Sequence, residues 1–281
     1  KGCPLRCKWC ANPEGLERKF QIMLKPTACV SCGACVAVCP QHIHSITANG
    51  EHLINRAIDC IGCGSCVRAC MQSALKVAGE QVPVSDLLAY LEEDRVFYEQ
   101  SGGGVTLSGG EVTSQPEAAI NLLEACKREG VHTAIETCGY AKKDVLLRFA
   151  EVVDLFLFDI KHMDPERHAE LTGVRNEMIL DNLETLLQRR HNVKVRMPLL
   201  KGINDSEPEI RAVIDFLTPY KDLKNFKGID LLPYHKLGVN KYTQLGMEYA
   251  IDGDPSLSDD DLDRIEGWIS GSDFPVTVIR H

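Results

Sequence analysis

Eleven of this chain's thirteen cysteines fall before residue 71, and none lies in the last 143 of its 281 residues. Such crowding constrains the fold more than any other feature. A secreted disulfide scaffold is short and carries its cysteines throughout, whereas thiols in tight C-x2-C groups are metal ligands. The remaining two hundred residues must fold without cross-links, and the chain is long enough for a barrel-like α/β domain of about 200 to 250 residues plus one small module. With 44% hydrophobic and 25% charged residues, composition fits a folded globular protein rather than a disordered one. No apolar run approaches the roughly 20 residues of a spanning helix, and no signal peptide opens the sequence, so a cytoplasmic protein with no membrane partner is expected. A net charge of -9 argues against nucleic acid as a partner, because clustered Lys and Arg hold that ligand. Lys1 and Gly2 stand directly before Cys3 with no initiating Met, and an upstream segment is expected.

Cys29, Cys32, Cys35 and Cys39, followed by Pro40, spell C-x2-C-x2-C-x3-C-P, and Cys60, Cys63, Cys66 and Cys70 repeat the spacing at a shift of 31 with Met71 after them. In two-cluster ferredoxins the first three cysteines of a run hold one cluster and the fourth crosses to the other. Cys29, Cys32, Cys35 and Cys70 are therefore assigned to one 4Fe-4S cluster, and Cys60, Cys63, Cys66 and Cys39 to a second. Structural zinc fits less well, since a third cysteine at the same short spacing adds nothing to one tetrahedron. Each copy closes on a short apolar stretch, residues 42–46 and 73–77. So small a module has little core of its own and should depend on its metal.

From Val84 onward helical periodicity alternates with short apolar runs. Helices are expected over 84–99, 115–129, 142–152, 176–190, 206–217 and 259–269, and strands over 104–107, 131–137, 154–159, 193–199, 229–232 and 276–279. The run Leu155–Phe158, bounded by Asp154 and Asp159, reads as a strand buried on both faces. Regular βα alternation implies a parallel sheet with helices outside, whose strand ends carry the chemistry.

Cys3, Cys7 and Cys10 form C-x3-C-x2-C, three thiolates for a four-iron cluster, which leaves one iron open to a ligand's amine and carboxylate. Here the sequence resembles the radical SAM superfamily, and K-G-C-P-L-R-C-K-W-C-A-N-P-E-G is similar to the glycyl radical enzyme activating enzymes that carry a ferredoxin-like insert. That resemblance implies an α/β fold: a partial (β/α)6 barrel starting at residues 1–21, a two-cluster insert at 22–80, and the remainder of the barrel at 81–281. It implies three 4Fe-4S clusters and S-adenosylmethionine (SAM), which is cleaved reductively to a 5'-deoxyadenosyl radical that takes hydrogen from a glycine of a partner glycyl radical enzyme. It also places a strand and a D-G-P-G loop just upstream of the cysteines, which are absent from this sequence.

By the same resemblance Gly109, Gly110 and Glu111 form the site for the SAM amino group, Asp159 and Lys161 lie against SAM, and Arg196 and His235 touch SAM or the substrate loop. Trp9 stands where the family packs on adenine. Glu136, Thr137 and Asp159 are a candidate monovalent-cation site, although Glu136 replaces the family's usual Asp. Taken alone, several of these are ordinary: a Gly-Gly-Glu turn, a solvated strand end, a surface histidine, a core tryptophan. Cys126, on the apolar face of a helix, and Cys138, at a strand end, read as buried small residues. The acidic run Asp259–Asp261 after Ser258 reads as a helix start.

The expected function is activation of a glycyl radical enzyme by a monomer in an anaerobic bacterium. A flavodoxin or ferredoxin is the expected donor, and the insert clusters the relay, since such clusters reach about -400 mV or below. A radical SAM enzyme acting on a small molecule or peptide, and a three-cluster electron carrier, are the alternatives. Activases of this subgroup serve choline trimethylamine-lyase, isethionate sulfite-lyase and glycerol dehydratase among others, and no residue chooses among them.

Overall fold

The computed structural model describes residues 1–280, in which two small antiparallel sheets precede a larger parallel one. Strand β1 (Gln21–Leu24) pairs with β4 (Leu75–Ala78), and β2 (His44–Ile46) with β3 (His52–Ile54). The short helices α1 (Ala34–Val38) and α2 (Ser65–Arg68) pack on each other, each starting after a left-handed glycine, Gly33 (φ 77°) and Gly64 (φ 70°). Their partners in the repeat, His42 and Ser73, share φ values of 52° and 50°, so the repeated sequence is a repeated backbone path. Three of the six residues in this unit's buried cluster are cysteines, Cys35, Cys39 and Cys66, beside Ile22, Ile43 and Leu75. Little apolar surface is left to hold it together without a ligand.

The main sheet runs in the order β5 (Gly104–Leu107), β6 (His132–Thr137), β7 (Leu155–Asp159), β8 (Val193–Leu199), β9 (Phe226–Pro233) and β10 (Val276–Val278), all parallel. Its helices are α3 (Val84–Glu92), α4 (Arg95–Ser101), α5 (Pro116–Arg128), α6 (Lys143–Ala150), α7 (Pro165–Thr172), α8 (Glu177–Gln188), α9 (Glu207–Leu217), α10 (Val239–Leu245) and α11 (Asp259–Ile269). Phe149, Phe156, Phe158, Leu183 and Leu186 have no exposed surface in the core between sheet and helices. Each such side chain contributes about 1.5–3 kcal/mol on burial. No helix among the described residues is long and apolar enough to cross a membrane.

Three expectations are corrected. The helix expected over 84–99 is two, α3 and α4, broken where Glu92, Glu93 and Asp94 bring three negative charges to a helix C-terminus, the end whose dipole disfavours them. Helix α7 falls where the periodicity places no helix, yet it has explicit signals: the Asp164 carboxylate accepts from Arg167 N–H at 2.7 Å, Pro165 follows, and Gly173 ends the helix at φ 85°. Strand β7 is not buried on both faces; Phe156 and Phe158 are buried, while Leu155, Leu157 and Asp159 alternate with them and stay partly exposed. The sheet does not close, and its inner face opens onto a cavity.

Candidate active site

The loop carrying Cys3, Cys7 and Cys10 is sewn to the barrel by its backbone. Cys3 N–H donates to Leu16 O, Arg6 N–H to Thr172 O and Lys8 N–H to Leu171 O, while Tyr242 Oη donates to Cys10 O at 2.9 Å. On the far side Glu111 N–H donates to Gly2 O at 2.7 Å. The Gly-Gly turn makes this contact possible. Gly109 has φ 126°, and a Cβ on Gly110 would lie 2.2 Å from Gly15 O and 2.5 Å from Gly2 O. No residue with a side chain fits at Gly110, and the glycines serve the chain's own close approach as well as any ligand's.

Above the three thiols lies an open cavity of about 410 Å³. Trp9, Gly109, Gly110, Glu111, Glu136, Thr137, Asp159, Lys161, Arg196 and His235 all line it, with Cys3, Cys7 and Cys10. Every residue singled out in sequence for this site thus meets in one place, of a size that suits a nucleoside-sized ligand. Trp9 also packs on Leu171 and Leu200, so core packing and cavity lining are two faces of one ring. His235 sits at the exposed rim, its ring stacked near Tyr234.

A chain of ionic contacts runs along the cavity wall. Asp159 and Arg196 are register partners on β7 and β8, and Arg196 Nε donates to Asp159 Oδ1 at 3.0 Å. Arg196 Nη1 reaches Glu136 Oε1 at 2.6 Å, Ser108 Oγ donates to Glu136 Oε2 at 2.5 Å, and Lys161 Nζ donates to Asp159 Oδ2 at 3.1 Å. The guanidinium thus occupies the space between Glu136 and Asp159, two of the three residues of the candidate cation site, and supplies positive charge there. The third, Thr137, donates its hydroxyl to Glu111 Oε1 at 2.7 Å. Buried Glu111 also accepts from Thr113 N–H, Thr113 Oγ1 and Cys138 N–H, which fixes the turn and leaves Oε2 with the spare lone pair.

Burial is the largest influence on Lys161 and opposes its charge, but Asp159 together with the Cys7 and Cys138 thiols outweighs it and the ammonium is held protonated. Arg196 behaves likewise, with burial set against Asp159 and Glu136. Burial pushes the Cys7 thiol up to about 12 and raises Cys10, and the neighbouring thiols add to both shifts. Cys3 comes down to about 7 because the buried Cys138 thiol hydrogen-bonds it. Three converging, mutually repelling thiolates need a cation, and the donor set, all sulfur with polar room above, fits a cluster with one iron left open. Cys138 lines the cavity beside Cys3, whereas Cys126 is buried in an apolar cluster under α3.

In the small unit, Cys29, Cys32, Cys35 and Cys70 line one cavity, and Cys39, Cys60, Cys63 and Cys66 line another with Ile22, Ile43 and Ile61. Four thiols in each apolar pocket fit a fully ligated cluster. The sequence reading missed the polar residues beside them, His44 and His52, which approach one another at 3.0 Å. Burial, then His52, pushes His44 down to about 4, so the ring stays neutral. Their signal was the Asn49-Gly50 turn that folds β2 and β3 into a hairpin with both histidines on one face. Also missed was α10, where Lys241 Nζ bonds Asn12 Oδ1 at 2.8 Å and Glu14 Oε1 at 2.6 Å, holding the cysteine loop.

The family model of the radical SAM superfamily matches residues 60–214, and that of a 4Fe-4S dicluster domain matches residues 28–75. The chain is 62% identical to the choline trimethylamine-lyase activating enzyme of Oleidesulfovibrio alaskensis, across 100% of this chain and 91% of that one. It is 41% identical to the trans-4-hydroxy-L-proline dehydratase activating enzyme of Clostridioides difficile, across 99% of this chain and 91% of that one. Among solved structures, a domain of the pyruvate-formate lyase-activating enzyme of Bacteroides vulgatus superposes with a TM-score of 0.51 at 28% identity, covering 63% of this chain and 99% of that one.

Proposed function

Because this chain belongs to the glycyl radical enzyme activating enzymes of the radical SAM superfamily, we propose that the protein it activates is a choline trimethylamine-lyase. One observation carries this choice: identity to an activase of that lyase is 62% along the full chain, against 41% for an activase of a hydroxyproline dehydratase. Iron–sulfur clusters and SAM are the cofactors of the family. When bound, they supply one electron and a 5'-deoxyadenosyl radical that takes hydrogen from the partner's glycine.

Three clusters are assigned, on Cys3, Cys7 and Cys10, on Cys29, Cys32, Cys35 and Cys70, and on Cys60, Cys63, Cys66 and Cys39. The roles of the other residues follow from charge and shape. Lys161, half-buried and held cationic by Asp159 and the neighbouring thiols, binds the SAM carboxylate, and Glu111 Oε2 with the Gly109-Gly110 backbone receives its ammonium. Arg196 keeps Glu136 and Asp159 paired, so neither carboxylate draws the sulfonium away from the thiols. Trp9 provides a flat apolar wall for adenine, and His235 stands at the rim where a partner loop would arrive. We assign no resident monovalent cation, since Arg196 fills that part in electrostatic terms.

The barrel residues 1–21 and 81–281 hold the reaction, and residues 22–80 hold the relay. A flavodoxin or ferredoxin would deliver electrons to a monomer, in the reducing, anaerobic cytoplasm that such exposed thiolates require. The test is anaerobic incubation of the reconstituted protein with SAM, a reductant and choline trimethylamine-lyase, read by the glycyl-radical resonance on the lyase and by trimethylamine release. A radical formed on that lyase and not on isethionate sulfite-lyase is the expected result. Equal activation of both, or of the second alone, would reject the partner assignment.

A further inference from the structure

We propose that His52, oriented by His44, donates a hydrogen bond to the thiolate of Cys29 and thereby holds up the reduction potential of the cluster that Cys29 binds. The inference rests on the reading of Cys29, Cys32, Cys35 and Cys70 as cluster ligands and adds a determinant of that cluster's energy. His52 Nδ1 lies 3.5 Å from Cys29 Sγ, and its Nε2 lies 3.5 Å from Cys35 Sγ and 3.0 Å from His44 Nδ1. Cys35, His44 and His52 form a group whose ligand atoms lie within 4.8 Å of one another.

Proton bookkeeping fixes the donor. His44 is 3% exposed, and its Nε2 has no hydrogen-bond partner among the described residues. A buried N–H left without an acceptor is the costlier of the two alternatives, so the His44 proton belongs on Nδ1, directed at His52 Nε2. His52 then carries its own proton on Nδ1, which faces Cys29 Sγ. An imidazole pinned this way keeps its ring plane and tautomer as histidines oriented beside metal ligands do. A hydrogen bond to a cluster sulfur stabilises the extra negative charge of the reduced form more than the oxidised form, and so raises the potential.

The repeat supplies an internal control. At a shift of 31 residues His44 corresponds to Leu75, and the pocket of Cys39, Cys60, Cys63 and Cys66 contains no histidine. Backbone donors are matched, with Ala74 N–H on Cys70 Sγ at 3.3 Å and Gly62 N–H on Cys60 Sγ at 3.4 Å. Side-chain partners are not: the second pocket uses Ser65, 3.5 Å from Cys63 Sγ, at the position where the first copy has Ala34. The two clusters thus share a backbone cradle and differ in the side chain that touches their sulfurs.

The experiment is a redox titration of the reconstituted full chain, followed by electron paramagnetic resonance, for the native protein and for His52→Leu, His52→Gln and His44→Leu, with iron counted in each. His52→Leu should lower the reduced-to-oxidised ratio of one cluster about tenfold at a fixed potential, equivalent to about 59 mV for one electron. The other clusters should not move. His52→Gln, which keeps an N–H donor, should recover most of the shift, and His44→Leu should move the same cluster in the same direction by less. Full iron content with an unmoved potential in His52→Leu overturns the proposal. If His52→Leu loses its cluster, His44→Leu decides by the same criterion. A native protein with only about eight irons would overturn instead the underlying assignment of four irons to these cysteines.

Discussion

The barrel and the inserted unit both gather cysteines, but to opposite ends. In the barrel three thiols lie at the floor of an open cavity whose walls carry two paired cations and two paired anions. In the insert four thiols line each of two apolar pockets. The fourth cysteine is the whole difference in coordination, and it decides what a cluster does. A fully ligated cluster has no position for a substrate and can only pass electrons, while a three-thiolate cluster can bind one. The polar walls follow from that, because only the open site needs to recognise a charged molecule.

The largest test of this contrast removes a barrel thiol. Cys7→Ala should abolish 5'-deoxyadenosine formation to background while iron falls by about a third, from about twelve to about eight per chain. Removing an insert thiol should do something different. Cys29→Ala or Cys63→Ala should slow flavodoxin-driven SAM cleavage by on the order of tenfold or more, with the SAM-responsive signal of the barrel cluster retained. Unchanged rates in both variants would end the relay role of the insert. Arg196→Met probes the walls. With the guanidinium gone, Glu136 and Asp159 lose their shared partner at about 2 kcal/mol, and kcat/KM for SAM should drop roughly 30-fold with iron content intact.

The smallest effect belongs to a barrel site that does not line the cavity. Asp261 closes a capping box with Ser258 at the start of α11, and Lys201 and Arg264 also bond it. Lys201 first, then Ser258 and Arg264, hold its carboxyl below the usual range. Its stabilisation is therefore present above the unfolded value of about 4 and fades as pH falls through the lower folded one. Asp261→Asn should cost about 1 kcal/mol, a fall of about 2–4 °C in Tm at neutral pH, and should flatten the acid limb of the stability curve. SAM cleavage should be unaffected.

Much of this was legible because it is local. Cysteine spacing is written in a few adjacent residues, so Cys3 to Cys10 stand out at once, and apolar runs mark the strand ends where the family resemblance then places Gly109 to Glu111, Asp159 and Arg196. What the residues do to one another was not legible. That Arg196 bridges Glu136 and Asp159 depends on the order of β6, β7 and β8, which no local pattern states. The same holds for His44 and His52, which meet only once the hairpin forms, and for α10, whose Lys241 and Tyr242 reach back more than two hundred residues to the cysteine loop. The break between α3 and α4 is different: three consecutive acids stand in plain view, and the helical periodicity runs straight across them.

The most direct measurement is electron paramagnetic resonance on the anaerobically reconstituted, reduced protein with and without SAM. SAM should alter one signal, which should be missing from Cys7→Ala and kept in Cys29→Ala, and 5'-deoxyadenosine should accumulate. A SAM response that survives in Cys7→Ala, or no response from a protein holding all its iron, would contradict an open iron on the barrel thiols.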